Sequence, residues 1–232
     1  MLSQPQPFTG VVALDGPAGT GKSTVAQRLA SRLGAHYLDT GAMYRAATVA
    51  VLQAGVDPAD PAAVSAVVAA SRIEVSLDPR AQRTLLDGQD VSTRIRGSEA
   101  TAAVSAVSAV GRVRELLVRQ QRELIRRGPV VAEGRDIGSV VWPEADLKVY
   151  LTAREDVRAR RRAGQLGESD VAGIAESMRR RDAFDSGRVV SPLRRPDGAT
   201  EVDTSDLSID EVVSLLAELA RRAMPVTAAD RS

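Results

Sequence analysis

The stretch from Gly16 to Thr24, GPAGTGKST, constrains the fold of this chain more than any other feature. It matches the pattern G-x-x-x-x-G-K-[ST], and the apolar run VVALD at residues 11–15 stands directly before it. Apolar residues at helical spacing follow from Val25. A strand that runs into a glycine-rich turn and then a helix directs several backbone N–H groups, and the positive end of the helix dipole, at one small volume. This context predicts a phosphate-binding loop.

The loop predicts that one substrate is a nucleoside triphosphate. In such loops the lysine, here Lys22, reaches the β- and γ-phosphates, and the following hydroxyl, here Ser23, is offered to Mg²⁺. The predicted ATP site comprises the whole loop: Gly16, Pro17, Ala18, Gly19, Thr20, Gly21, Lys22, Ser23 and Thr24. The loop alone leaves the phosphoryl acceptor open among water, a protein and a second small molecule.

Composition excludes several classes of function. The 232 residues carry 31 basic and 30 acidic side chains, a net charge of +1, which argues against a nucleic-acid-binding protein. The absence of cysteine excludes disulfides and thiolate metal sites and suits a reducing compartment. The single histidine, His36, cannot form a histidine metal cluster. Without a secretory signal or a window of 18 apolar residues, we expect a cytoplasmic protein with no membrane partner.

The order of predicted elements indicates an α/β fold. Strands alternate with helices, which predicts a parallel sheet covered by helices. A short helix that opens at Asp60 and Pro61 and three short alternating strands interrupt this order at 57–97, which predicts an antiparallel insert. A helical region is expected from Glu99 to Arg127, with a break near Gly111. Two arginine-rich helices are expected at 153–184, separated by Gly164 and Gly167. A capping box of Ser208 and Glu211 predicts the start of a helix at 209–222.

Two polar segments follow predicted core strands. Because the carboxyl ends of parallel strands meet at one edge, we expect LDTGAMYRA (38–46) and EGRDIGSVVWP (133–143) to lie beside the phosphate loop. Tyr44 and Arg45 combine an aromatic face with a cation, which favours a nucleoside monophosphate site. Thr40 has the alternative interpretation of an ordinary helix cap.

Arg135 and Asp136 stand side by side in the second of these segments. Arg135 is suited to bind a phosphate, and Asp136 to accept hydrogen bonds from a base or sugar. The alternative is a structural ion pair between the two. Glu133, at the end of the strand, is placed to orient Mg²⁺-bound water.

The arginine runs between 153 and 188 have two interpretations. A charge run is most often a solvated helix face. However, Arg158, Arg161 and Arg162 share one helix face, and Arg181, Asp185 and Arg188 share another. Two such faces near a phosphate loop favour a lid that closes over a phosphoryl group in transfer.

Together the motifs resemble those of the bacterial cytidylate kinases, a family of nucleoside monophosphate kinases. The resemblance runs from Val11 to Leu219 through GPAGTGKST, LDTGAMYR, DVSTRIR, VGRVRELLVRQQR, EGRDIGSVVWP and RRDAFDSGR. It implies a P-loop NTPase-type five-stranded parallel sheet, an antiparallel insert in the monophosphate-binding domain, and a short helical lid. The implied divisions are core at 1–44, 111–155 and 191–224, the monophosphate-binding domain at 45–110 with the insert at 57–97, and the lid at 156–190. From the sequence itself we expect a disordered tail at 225–232.

The resemblance also implies a role for each matching residue. Arg45, Arg135 and Arg188 would clamp the acceptor phosphate, Ser105, Arg114 and Asp136 would read the cytosine edge, Thr40 and Tyr44 would line the same pocket, Arg181 and Asp185 would hold the ribose, and Arg158 and Arg162 would contact the ATP phosphates. Lys22, Arg135, Arg158, Arg162 and Arg188 form the implied catalytic group. Some members have glycine in place of Ser23, so the Mg²⁺ contact rests on the P-loop pattern. Ala183 and Phe184 depart from the family and receive no role.

The implied reaction is ATP plus CMP or dCMP giving ADP plus CDP or dCDP, by a monomer. The open alternatives are kinases of the same fold that act on AMP, UMP or shikimate. A regulatory GTPase would need an N-K-x-D motif, which a chain without asparagine cannot contain. A nucleic-acid-dependent ATPase is disfavoured by the near-zero net charge.

Overall fold

The computed structural model describes residues 7–188 and 191–224, so the predicted tail at 225–232 lies outside the described residues. The strands are β1 Val11–Asp15, β2 His36–Asp39, β3 Ile73–Val75, β4 Thr84–Leu86, β5 Gln89–Asp90, β6 Val130–Glu133, β7 Leu147–Thr152 and β8 Thr200–Asp203. The α-helices are α1 Lys22–Leu33, α2 Thr40–Gln53, α3 Pro61–Ala70, α4 Ser98–Ala109, α5 Gly111–Ile125, α6 Glu155–Leu166, α7 Val171–Ser186 and α8 Ile209–Ala223.

The predicted parallel sheet is confirmed. Its order is β2-β6-β1-β7-β8, and all four pairings are parallel. Strands β1 and β6 are almost entirely buried, and β7 alternates buried and half-buried residues, because helices cover both faces of the sheet. Leu14 and Asp39 both pair with Glu133, and Asp15 pairs with Tyr150, so the carboxyl ends of four strands meet at one edge. That edge is where ligands bind in open α/β sheets.

The predicted antiparallel insert is also present. Strands β3, β4 and β5 form a separate antiparallel sheet. Asp87 and Gly88 turn between β4 and β5 with φ of 49° and 81°, the left-handed pair of a tight hairpin turn. The Asp60 carboxylate caps α3, whose first residue is Pro61. This part of the fold therefore follows from local turn and cap chemistry.

The helical predictions hold with one correction. The long helical region breaks at Val110, beside Gly111, and Ser208 and Glu211 form the expected capping box on α8. The arginine-rich pair of helices is separated at Gly167, whose φ of 68° ends α6. The prediction that Gly164 also lies between the two helices is wrong. Gly164 lies within α6, because a helix tolerates a single glycine. Among the described helices, none has the length and apolar character needed to cross a bilayer.

Candidate active site

The phosphate loop has the backbone geometry that its glycines permit. Gly16, Gly19 and Gly21 have φ of 144°, 76° and 89°, values that residues with a side chain rarely adopt. A Cβ on Gly16 would lie 2.2 Å from the carbonyl oxygen of Leu151. Gly21 is the N-cap residue of α1, and within the described residues no side chain accepts a capping hydrogen bond from the first turn of this helix. The first N–H groups of α1 are therefore available to a bound anion.

Lys22 lies buried inside this loop. Its Nζ donates a hydrogen bond to the carbonyl oxygen of Pro17 at 2.6 Å. Burial and the nearby cation of Arg135 lower the pKa of Lys22, while Glu133 and Asp15 act in the opposite sense. An added anion would stabilise the ammonium group, which is what a phosphate-binding lysine requires.

Glu133, the last residue of β6, is a buried carboxylate whose charge acts on Lys22. The Tyr37 hydroxyl donates to Glu133 Oε1 at 2.6 Å. Burial and the charge of Asp39 raise the pKa of Glu133 to about 7. The Thr40 hydroxyl donates to the backbone carbonyl of Glu133 at 2.7 Å, whereas the Asp39 carboxylate accepts the Ala42 N–H at 2.9 Å and caps α2. The interpretation of Thr40 as the cap of α2 is therefore wrong.

Arg135 and Asp136 do not pair with each other but with residues from different elements. Arg135 donates to the Gly16 carbonyl at 2.9 Å and to Asp185 at 3.2 Å. Asp136 is buried and accepts a hydrogen bond from Arg114. The alternative of a structural ion pair between these neighbours therefore fails, because the backbone sends the two side chains to opposite partners.

Asp185 is the centre of an arginine cluster. Its carboxylate lies 3.2 Å from Arg135 and 4.0 Å from Arg181, and it accepts a hydrogen bond from Arg188. The carboxylate is almost completely buried. One negative charge therefore holds three cations that are up to 53 residues apart in sequence, from Arg135 to Arg188.

Arg45 adds a further cation without a carboxylate of its own in the described part of the chain. It donates to the Ile95 carbonyl and the Thr101 hydroxyl, both at 2.9 Å. Burial and the charge of Arg162 lower the pKa of Arg45 to about 10. Burial and the charge of Arg135 likewise lower the pKa of Arg181 to about 10. This excess of cations over carboxylates is the electrostatic pattern of an anion-binding site.

The predicted base-binding residues come together on one side of the arginine cluster. The Tyr44 ring centroid lies 5.2 Å from the Arg114 guanidinium, within the range of a cation–π contact. Ser105 is half-buried on α4, and its carbonyl accepts a hydrogen bond from Ser108 at 3.2 Å. Arg114, Asp136 and Tyr44 form a single group, and Ser105 joins it through Ser108.

The three lid arginines have different partners. Arg158 donates to the Ala18 carbonyl of the phosphate loop at 3.2 Å and pairs with Asp182. Arg162 donates to Gln165 at 3.3 Å. Arg161 instead donates to the hydroxyl and carbonyl of Thr204, at 2.9 and 2.7 Å. Arg161 therefore anchors α6 to the end of β8, whereas Arg158 contacts the phosphate loop and the charge of Arg162 acts on Arg45.

Comparison with known proteins identifies the family. The model of the cytidylate kinase family matches residues 12–222. This chain belongs to the cytidylate kinase family. The cytidylate kinase of Rhodococcus opacus is 54% identical over 211 residues, covering 89% of this chain and 92% of that one. The cytidylate kinase of Corynebacterium diphtheriae is 48% identical over 225 residues, covering 94% and 97%.

One solved structure supports the same fold. A gluconokinase from Sinorhizobium meliloti superposes with a TM-score of 0.51 at 17% identity, covering 94% of this chain and 95% of that one. At this identity the likeness concerns the fold alone. Membership of the cytidylate kinase family makes the chain an ATP-dependent nucleoside monophosphate kinase.

Several residues of this cytidylate kinase site escaped the sequence analysis. Ser108 accepts a hydrogen bond from Arg188 at 2.9 Å through its hydroxyl and one from Arg114 at 3.2 Å through its carbonyl. The Thr101 hydroxyl accepts a hydrogen bond from Arg45, and the Asp182 carboxylate accepts one from Arg158. Ser108 follows Ser105 by three residues on one helix, a spacing that could have drawn attention to it. No comparable signal marks the other two.

Proposed function

We propose that this site transfers the γ-phosphoryl group of ATP to CMP or dCMP, with the acceptor phosphate among Arg45, Arg135 and Arg188. The observation that carries the proposal is the convergence of Arg135, Arg181 and Arg188 on a single carboxylate, Asp185, with Arg135 also bonded to the phosphate loop. A nucleotide phosphate would supply the negative charge that the cluster lacks. Arg181 and Asp185 would also contact the ribose.

The base would be read by Arg114 and Asp136, with Ser105 beside them and Thr40 and Tyr44 lining the pocket. Cytosine carries an amino group at C4, a donor that a carboxylate accepts, whereas uracil carries a carbonyl oxygen there. Asp136 would therefore attract cytosine and repel uracil. The pairing of Arg114 with Asp136 supports this role, because it holds both side chains in orientation before substrate arrives.

The donor would bind along the phosphate loop, with Lys22 on the β- and γ-phosphates. Arg158 already lies against the loop, and Arg162 would approach when α6 and α7 close as a lid. The division into core, monophosphate-binding domain and lid is part of this proposal. The acceptor is an anionic phosphate oxygen at neutral pH, so the reaction needs no general base. Alignment and neutralisation of charge supply the catalysis.

Mg²⁺ fits this site through Ser23 and Glu133. Ser23 is exposed at the start of α1, and it lies close enough to Glu133 for its hydroxyl to lower the pKa of that carboxyl group. Ser23 would contact the ion, and Glu133 would orient its bound water. The ion would neutralise charge on the transferring phosphoryl group. Cytoplasmic location and a monomeric state stay predictions.

The acceptor is tested by titrating CMP, dCMP, UMP, AMP and shikimate against the enzyme with ATP and Mg²⁺ in a coupled assay of ADP release. We expect CMP and dCMP to give the highest kcat/KM, because among the pyrimidine acceptors they alone offer an amino group to Asp136. A higher value for AMP, UMP or shikimate would replace the proposed acceptor.

Asp136→Ala is expected to reduce the preference for CMP over UMP by about tenfold, a larger effect than its effect on kcat. The reason is that the carboxylate acts on the base and not on the phosphate. The measurement is kcat/KM for both acceptors. Asp90→Ala removes a carboxylate from an exposed ion pair with Arg83, 3.1 Å long, and serves as the control. An unchanged preference in Asp136→Ala would contradict the role of this residue.

A further inference from the structure

The segment that carries Arg135 and Asp136 continues into a rare backbone form. Ile137–Val141 is a π-helical turn, and the N–H groups of Val140 and Val141 both bond to the Asp136 carbonyl, at 2.9 and 3.1 Å. Such turns are uncommon and occur frequently at functional sites.

Asp15 holds the first end of this turn. Its carboxylate oxygens accept the N–H groups of Ile137 and Gly138, both at 2.8 Å. The side chain is fully buried, so water cannot substitute for either contact. Burial and Asp136 raise the pKa of Asp15 to about 6, while the two N–H groups and Lys22 act in the opposite sense. Above that pH the group is a carboxylate and accepts both bonds.

Arg122 holds the other end. Its Nε donates to the Val141 carbonyl at 2.9 Å, and its Nη2 donates to the Val140 carbonyl at 2.8 Å. Two charged side chains, from β1 and α5, therefore satisfy the N–H groups that open the turn and the carbonyls that close it.

The residue after Asp15 contacts the same segment. Gly16 is the first residue of the phosphate loop, and its carbonyl accepts Arg135 at 2.9 Å. Three hydrogen bonds thus join the dipeptide Asp15–Gly16 to residues 135–138. The end of β1 sets the start of the ATP loop and the position of the acceptor-binding segment together.

We propose that Asp15 is a positioning residue that fixes Arg135 and Asp136 against the phosphate loop and so determines how the cytidine nucleotide is read. This inference rests on the proposed function, because it takes Asp136 as the residue that reads the base. Asp15 touches neither substrate in this proposal. It acts through the turn that follows Asp136.

The test compares Asp15→Asn with the wild-type enzyme. Asparagine has the same shape but keeps one acceptor oxygen and turns an NH₂ group towards the other N–H. We expect the KM for CMP to rise about tenfold, the factor that corresponds to a lost hydrogen bond to a charged group, while the KM for ATP rises by a smaller factor, since Asp15 acts on Lys22 only through its charge. The preference for CMP over UMP should fall as well. Asp146→Asn is the matched control, because Asp146 accepts the N–H of Val11 at 2.7 Å at the far end of β1.

A double variant separates positioning from general destabilisation. If Asp15 acts through Asp136, then Asp15→Asn combined with Asp136→Ala should show the same CMP preference as Asp136→Ala alone. A purely structural effect would lower kcat for both acceptors equally and leave the preference unchanged. Arg122→Met releases the other end of the turn, and we expect it to lower the CMP preference in the same direction.

The outcomes distinguish the two proposals. If Asp136→Ala changes the CMP preference and a folded Asp15→Asn does not, the role of Asp15 is wrong and the proposed function stands. If Asp136→Ala leaves the preference for CMP over UMP unchanged, Asp136 does not read the base, and the inference about Asp15 is wrong as well. If thermal melting shows that Asp15→Asn does not fold, Arg122→Met decides, and an unchanged preference in that variant overturns the inference.

Discussion

Lys22→Ala should lower kcat by about a thousandfold while the protein remains folded, the magnitude expected when a charged group that stabilises the transition state is removed. Lys22 is buried in the phosphate loop with its ammonium bonded only to the Pro17 carbonyl in the described structure. Alanine removes the cation without opening the loop, because Gly16, Gly19 and Gly21 set the backbone. The measurement is steady-state turnover of CMP with saturating ATP, together with the melting temperature.

The chain provides a matched control for this variant. Of the 31 basic residues in the sequence, 29 are arginines and two are lysines, Lys22 and Lys148. Lys148 is half-buried on β7 and donates to the Asp197 carbonyl at 3.3 Å, away from the phosphate loop. Lys148→Ala should leave kcat within about twofold. Near-normal turnover in a folded Lys22→Ala enzyme would remove the phosphate loop from the mechanism.

Asp185→Asn should lower kcat/KM for CMP by about a hundredfold. Removing one partner of a buried ion pair leaves an uncompensated charge and is strongly destabilising, and here Arg135, Arg181 and Arg188 all lose the same carboxylate. Their mutual repulsion would spread the guanidinium groups away from the acceptor phosphate. The KM for ATP should change less, because the phosphate loop keeps its own contacts.

Glu176→Gln is the control for Asp185→Asn. Glu176 lies on the same helix and pairs with Arg179 at the same three-residue spacing that separates Asp185 from Arg188, but the pair is exposed. An exposed pair contributes little, so this variant should keep wild-type kcat/KM. If Asp185→Asn kept wild-type kcat/KM for CMP with the same melting temperature, the arginine cluster would have no part in acceptor binding.

Local chemistry accounts for most of what the sequence predicted correctly. The glycine pattern before Lys22 requires a particular turn, apolar runs of four to six residues form buried parallel strands, and the capping residues Asp60 and Ser208 begin their helices. Each of these signals acts between neighbours in the chain. They are readable without any tertiary contact, and they predicted the parallel sheet and the antiparallel insert, whereas the five-stranded core was implied by the family resemblance.

Long-range partners decided the rest. Whether Arg135 would meet Asp136 or Asp185 depended on the backbone direction after β6, and Arg161 turned to Thr204 although it shares a helix with Arg158. A long arginine side chain reaches several carboxylates and carbonyls, and sequence spacing does not select among them. By itself the sequence determined the phosphate loop, the sheet and the family of this protein. The tertiary structure decided which arginine pairs with which carboxylate or carbonyl, because these groups come into contact only after the strands and helices have packed.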